Sequence, residues 1–192
     1  MCAYFRPFAE FWAKGLFAYQ ASVFQENTKK RRNYHGKTVF TLTSWNSQDY
    51  WKGIQLRNEL LMKSAGKPVI IYAPVKEKED LHLIVCMDRQ VVATLLLHPI
   101  NSEIIQVKQV AVSQNCQGLG IGRKLIDYAE KVASNLGYTL VFLTGRKQAW
   151  HFYEKLGYDS LLETYFDHEV ELKVFKKKLA AQSKEMKTNG RQ

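Results

Sequence analysis

The residues best suited to chemistry lie in the segment 110–124, VAVSQNCQGLGIGRK. Gly118, Gly120 and Gly122 open a stretch whose apolar residues (Ile121, Leu125, Tyr128, Ala129, Val132, Ala133, Leu136) repeat as one face of a helix, closed by Gly137. A helix start usually carries a Ser, Thr, Asp or Asn cap. This one has none and places Arg123 and Lys124 in its first turn, where cations oppose the helix dipole at a cost of roughly a few tenths of a kcal/mol each. An anion at that point would account for the pattern. Glycines let backbone amides approach it closely, and the dipole with Arg123 would complete a phosphate cradle. The competing reading is a tight turn with no ligand. A dinucleotide fingerprint would need glycine at 123 and an acid after the next strand, where the chain has Arg123 and Thr144-Gly145-Arg146. A nucleoside-triphosphate loop would need Gly-Lys-Ser/Thr, and Gly122 is followed by Arg-Lys-Leu.

Other reactive residues are scattered. Tyr153 shares a helical face with Ala149, Phe152 and Leu156, which is also the pattern of plain core packing. His82, His98 and Glu103 could take a proton from a nucleophile, as could a water; each is equally at home as a structural residue. Cys116 adjoins the glycines, but nothing beside it in the sequence activates a thiol. The three cysteines (Cys2, Cys86, Cys116) have no metal spacing and suit a reducing, cytoplasmic setting; no metal site is expected.

The elements that must position these residues follow from periodicity. Residues 38–43 alternate as a strand, and 47–65 form a helix capped by Ser47 and stopped at Gly66. A loop covers 68–80. Strands at 81–86 and 91–97 flank Met87-Asp88-Arg89-Gln90 as a hairpin, and 103–112 is a further strand. The glycine turn and its helix come next, then a strand at 139–144, a short helix at 148–156 and a last strand within 169–178. The expected class is α+β: a mostly antiparallel sheet with one parallel strand–helix–strand crossover and helices on both faces.

The chain has 192 residues, 46% hydrophobic and 24% charged, which excludes a disordered chain and leaves enough apolar surface for one core. No uncharged apolar run is long enough to span a bilayer. The net charge of +10 is concentrated at the ends: 29–37 carries five cations and no acid, and 173–192 carries seven against Glu185. The middle is nearly balanced, so the charge reads as solvated ends, with nucleic-acid or membrane-surface contact through them the lesser reading. In 1–28, Phe5, Phe8, Trp12, Leu16, Tyr19 and Val23 recur as one helical face. The chain divides into an extension at 1–36, a domain at 37–178 and a basic tail at 179–192, expected to be disordered.

Gln117-x-x-Gly120-x-Gly122 after a Val-x-Val strand resembles the pyrophosphate loop of the GNAT superfamily of N-acetyltransferases, and Phe152-Tyr153-Glu154-Lys155-Leu156-Gly157-Tyr158 is similar to that family's late helix. The resemblance covers roughly 38–178, and 56–61 (LRNELL) with the acid-then-His pattern at 80–82 looks like a bacterial-type branch. It implies acetyl-CoA as co-substrate, with Val110, Ala111 and Val112 pairing with the pantetheine arm. It further implies that Gln117 opens the motif, and that the amides of Gly118, Leu119, Gly120, Ile121, Gly122 and Arg123 hold the pyrophosphate. Tyr153 would be the general acid for the leaving thiolate. The implied acceptor is a primary amine of a small molecule or peptide, acetylated directly, by a monomer or homodimer. A non-catalytic acyl-CoA-binding module and a basic nucleic-acid or ribosome-associated factor are the alternatives. Two positions depart from the family pattern: Arg146 stands where Asn is frequent, and Glu171 or Leu172 where relatives often have His.

Overall fold

A computed structural model describes residues 38–180. The expectations for 1–36 and most of the tail lie outside these residues. Seven strands form one sheet: β1 (Val39–Thr43), β2 (Leu81–Met87), β3 (Gln90–Pro99), β4 (Ile104–Val112), β5 (Leu140–Arg146), β6 (Asp159–Asp167) and β7 (Val170–Lys178). Their order is β1-β2-β3-β4-β5-β7-β6. Every neighbouring pair is antiparallel except β4 with β5. That parallel pair needs a crossover, which is the helix α2 (Ile121–Asn135).

Alternation along the strands separates two faces. Leu81, Leu83, Val85, Leu95, Leu97, Ile105, Val107, Val141 and Leu143 bury one face against Leu125, Ile126, Ala129, Val132 and Ala133 of α2. The short helix α3 (Trp150–Lys155) adds Tyr153 to this core. The opposite face carries α1 (Gln48–Arg57). Ser47 caps α1 as expected, its hydroxyl accepting from the Tyr50 amide at 3.2 Å. The helical path runs on through a wider turn (Asn58–Met62) and a tighter one (Lys63–Ala65) to a left-handed Gly66. Tyr50, Ile54 and Arg57 are the buried side of α1.

A buried polar cluster pins the loop after Gly66 to α1. Both Glu77 oxygens accept from Arg57, at 2.6 and 2.9 Å, and one also from the Tyr50 hydroxyl at 3.0 Å. His82 Nε2 lies 2.9 Å from the Glu77 carbonyl. Burial alone would raise the Glu77 carboxyl, but the hydrogen bonds and charge of Arg57, with the Tyr50 hydroxyl, outweigh it and hold the group below its ordinary value.

One expectation is corrected. The sequence reading put no strand between the short helix and the last strand, and β6 occupies 159–167. It is an edge strand with Leu161, Tyr165 and Phe166 exposed, so it lacks the alternation of a half-buried strand. Its turn into β7 uses His168 at φ 58° rather than a glycine or asparagine.

Candidate active site

β4 and β5 pair only from Ile104↔Leu140 to Val107↔Leu143. The cause lies in β4 and β3. Thr94 faces Ala111 and Leu96 faces Lys108, so two residues of β4, Gln109 and Val110, stand opposite Leu95 alone. This is a β-bulge, with Gln109 in the left-handed region at φ 56°. Beyond it β4 stays with β3 while β5 stays with β7 as far as Arg146↔Leu172. A cleft of about 810 Å³ opens between the diverging strands. From Lys108 to Val112, the edge of β4 facing β5 has no strand partner.

The glycine turn closes one end of the cleft. After Val112 the Ser113 amide donates to Val92 O at 2.8 Å, a tight turn spans Gln114–Cys116, and Gln117 Nε2 donates to Val112 O at 3.0 Å. Gln117 thus ties the turn to the strand it leaves. Gly118 (φ 77°) and Gly120 (φ 76°) are left-handed, the latter as the α2 N-cap, with no side-chain cap on the helix. The first backbone bond of α2 is Lys124 N to Gly120 O, so the amides before it are available to a ligand.

The side chains around this turn divide. Val110, Ala111, Val112, Gln117, Gly118, Gly120, Gly122 and Tyr153 line the cleft. Leu119 points to solvent, and the Ile121 side chain belongs to the core. The Arg123 guanidinium donates to Lys155 O at 3.2 Å, at the C-terminal end of α3. This helix end favours a cation, which gives the Arg123 side chain a partner within the protein. Arg123 offers the turn its backbone amide.

Tyr153 is both core and cleft. Its ring is 5.1 Å from that of Phe152 and 5.5 Å from that of Phe175, and it is 6% exposed. A Cβ on Gly145 would meet its Cδ2 and Cε2 at 3.0 Å, so a side chain at that point of β5 would press on the ring. Burial pushes the phenol up to about 12.

The three candidate bases are not brought here. His82 is buried against Glu77, His98 Nδ1 lies 2.6 Å from Asp80 Oδ1, and Glu103 precedes β4, about 10 Å along the strand from the cleft residue Gln106. None of them lines the cleft. Cys116 does, as a free, buried thiol.

The opposite end of the cleft holds residues that sequence reasoning missed: Lys67, Gln106, Lys108, Gln109 and Thr144. Arg146 bridges from β5 to the helical wall, donating to Ser64 Oγ and Leu61 O at 2.7 Å each. Lys67 pairs with Asp167 of β6. Leu172 lines the cleft, while Glu171 accepts from Lys147 at 2.7 Å. The run Lys108-Gln109 breaks the polar–apolar alternation of EIIQVKQVAV, and that break was the readable sign of the bulge.

A model of the acetyltransferase (GNAT) family matches residues 41–158. The chain belongs to that family. As a GNAT acetyltransferase it shares its fold with solved structures of low identity. A Lactobacillus plantarum protein provisionally described as an N-acetyltransferase aligns over 77% of this chain and 100% of its own, with 22% identity and a TM-score of 0.66. An aminoglycoside 6'-N-acetyltransferase complexed with coenzyme A aligns over 76% and 99%, with 12% identity and a TM-score of 0.63. A GNAT family acetyltransferase from Elizabethkingia anophelis with acetyl-CoA bound aligns over 74% and 98%, with 12% identity and a TM-score of 0.57. Among the described residues no helix is long and apolar enough to cross a membrane.

Proposed function

We propose that this GNAT protein transfers an acetyl group from acetyl-CoA directly to an amine of a small molecule. The observation that carries the reading is a single cleft joining three features: an unpaired β4 edge, uncapped α2 amides and the protonated phenol of Tyr153. Val110–Val112 offer backbone groups to an extended pantetheine arm, as an added strand would be held. The amides of 118–123 suit a diphosphate at a helix N-terminus. Bound acetyl-CoA in one structural neighbour and coenzyme A in another favour the same donor.

The amine nitrogen bonds to the acetyl carbon, the thioester C–S bond breaks, and the amine's proton leaves through water. Tyr153 faces the departing sulfur as a proton donor. An ordinary thiol has a pKa of about 8.5, well below the phenol's value of about 12. The proton therefore stays mostly on oxygen, and Tyr153 stabilises the sulfur anion as a hydrogen-bond donor more than as a full general acid.

Thermal shifts with acetyl-CoA, CoA, NADH and ATP test the donor: the CoA compounds should stabilise the protein and the other two should not. Tyr153→Phe keeps the ring and removes the proton. We expect kcat to fall about 100-fold, the low end for removing one hydrogen-bond donor to a developing anion, with CoA affinity kept. The competing reading is an acyl-CoA-binding module in which the buried Tyr153 ring only packs. Unchanged turnover in Tyr153→Phe would remove Tyr153 from the chemistry, and absence of turnover with every amine would favour that module.

A further inference from the structure

The charge of the cleft is one-sided. Its charged lining residues are Lys67, Lys108 and Arg146, and no Asp or Glu lines it among the described residues. These cations are separate from the phosphate end. Ile105 and Val107 face α2, so Gln106 and Lys108 face the side covered by α1 and its helical extension. Lys108 and Val112 face Leu96 and Ala93 of β3, which places Lys108 roughly 10 Å along the strand from the start of the glycine turn.

Two of the three cations already have partners: Lys67 has Asp167, and Arg146 has Ser64 and Leu61. Lys108 is half-buried and has no ion pair or hydrogen bond among the described residues. Beside it, Gln109 Oε1 is buried without a hydrogen-bond partner. A buried acceptor left unpaired in a native fold calls for an explanation, as does a free cation next to it on a bulge. A ligand with an anionic group would give Lys108 its partner, and an N–H donor on the same ligand would reach Gln109 Oε1 once that amide turns toward the cleft its residue lines.

Resting on the acetyltransferase reading above, we propose that the acceptor is a small amine that also carries a carboxylate or phosphate, its anion on Lys108 and its amine against Gln109. Polycationic amines are disfavoured, because they would bring like charge to a wall whose neighbouring acid, Asp167, is already paired with Lys67. The cross-ties Arg146–Leu61 and Lys67–Asp167 join the helical wall to β5 and β6. They tie the walls of this end to each other.

The test is a panel of matched acceptors with thiol release as readout at saturating acetyl-CoA. Glycine, aspartate and glutamate are each set beside the corresponding amide, and phosphoethanolamine beside ethanolamine, with spermidine and kanamycin as polycations. An anionic acceptor should exceed its uncharged partner in kcat/KM by at least about tenfold, the low end for a charged hydrogen bond. The carboxylate and phosphate arms show which anion is used. Lys108→Gln should raise the KM of that acceptor by a similar factor without changing the KM for acetyl-CoA, and Lys108→Arg should recover most of the loss. In parallel, N-acetylglycine and N-acetylglutamate should stabilise the CoA-saturated protein more than N-acetylglycinamide does. Equal use of neutral or polycationic amines, no effect of Lys108→Gln, or no carboxylate-dependent stabilisation would each overturn the proposal and leave the acetyltransferase reading standing. Failure of CoA to stabilise the protein at all would overturn both.

Discussion

Replacing Gly145 with alanine perturbs Tyr153 without touching it. The added Cβ would lie 3.0 Å from two Tyr153 ring carbons and 3.1 Å from Phe175 Cε2, against ordinary carbon contacts of about 3.5–4.0 Å. The rings must give by a few tenths of an ångström. They have little room: Phe175 is fully buried, Tyr153 is bracketed by Phe152 and Tyr158, and the Gly145 carbonyl is held by Trp150 Nε1 at 2.9 Å. Overpacking of this kind costs about 1–3 kcal/mol. The entropy gained by removing a strand glycine offsets roughly 0.5–1 kcal/mol of it, leaving a net loss centred near about 1 kcal/mol and at most about 2.5 kcal/mol in urea unfolding. Displacing the Tyr153 hydroxyl by up to about 1 Å should also lower kcat, by as much as about 100-fold, with CoA affinity unchanged. Wild-type stability in Gly145→Ala would refute the packing argument. Lost stability with full kcat would refute the role given to Tyr153.

The Glu77 cluster sets a pH response of stability. Because the Glu77 carboxyl is held below its ordinary value of 4.5, its contribution is complete above that pH and is lost as pH falls through the lowered value. Glu77→Gln should destabilise the protein by about 3–5 kcal/mol at pH 7 by leaving a buried guanidinium unpaired, and should flatten the acid limb when unfolding free energy is measured from pH 8 to pH 3. For turnover, Tyr153 stays protonated until about pH 12, and no candidate base lines the cleft among the described residues. The ascending limb of the rate profile should therefore move with the pKa of the chosen amine, whereas a limb fixed across two amines of different pKa would reveal a protein base.

Much of the scaffold was legible because its signals are local. Ser47 and Gly66 bound the first helical stretch, the apolar stripe from Ile121 to Leu136 forms α2, and the glycines mark the turn before it. β6 was not, because an exposed edge strand turning through His168 carries neither alternation nor turn chemistry. The acceptor end was illegible for a different reason. Lys67, Lys108, Arg146 and Leu172 come from a loop and three strands, and only the sheet order brings them together. The contact of the Arg123 side chain with α3 was hidden as well, because sequence spacing does not encode it.

The account depends most on the amides between Gly118 and Arg123 being a diphosphate grip. An amide-resolved NMR titration with coenzyme A, set beside one with pantetheine, which lacks the diphosphate, tests this directly. Coenzyme A should shift the resonances of 118–123 together with those of 110–112, and pantetheine should shift 110–112 while leaving the turn unmoved. A turn that stays silent under saturating coenzyme A, or that responds equally to pantetheine, would contradict it.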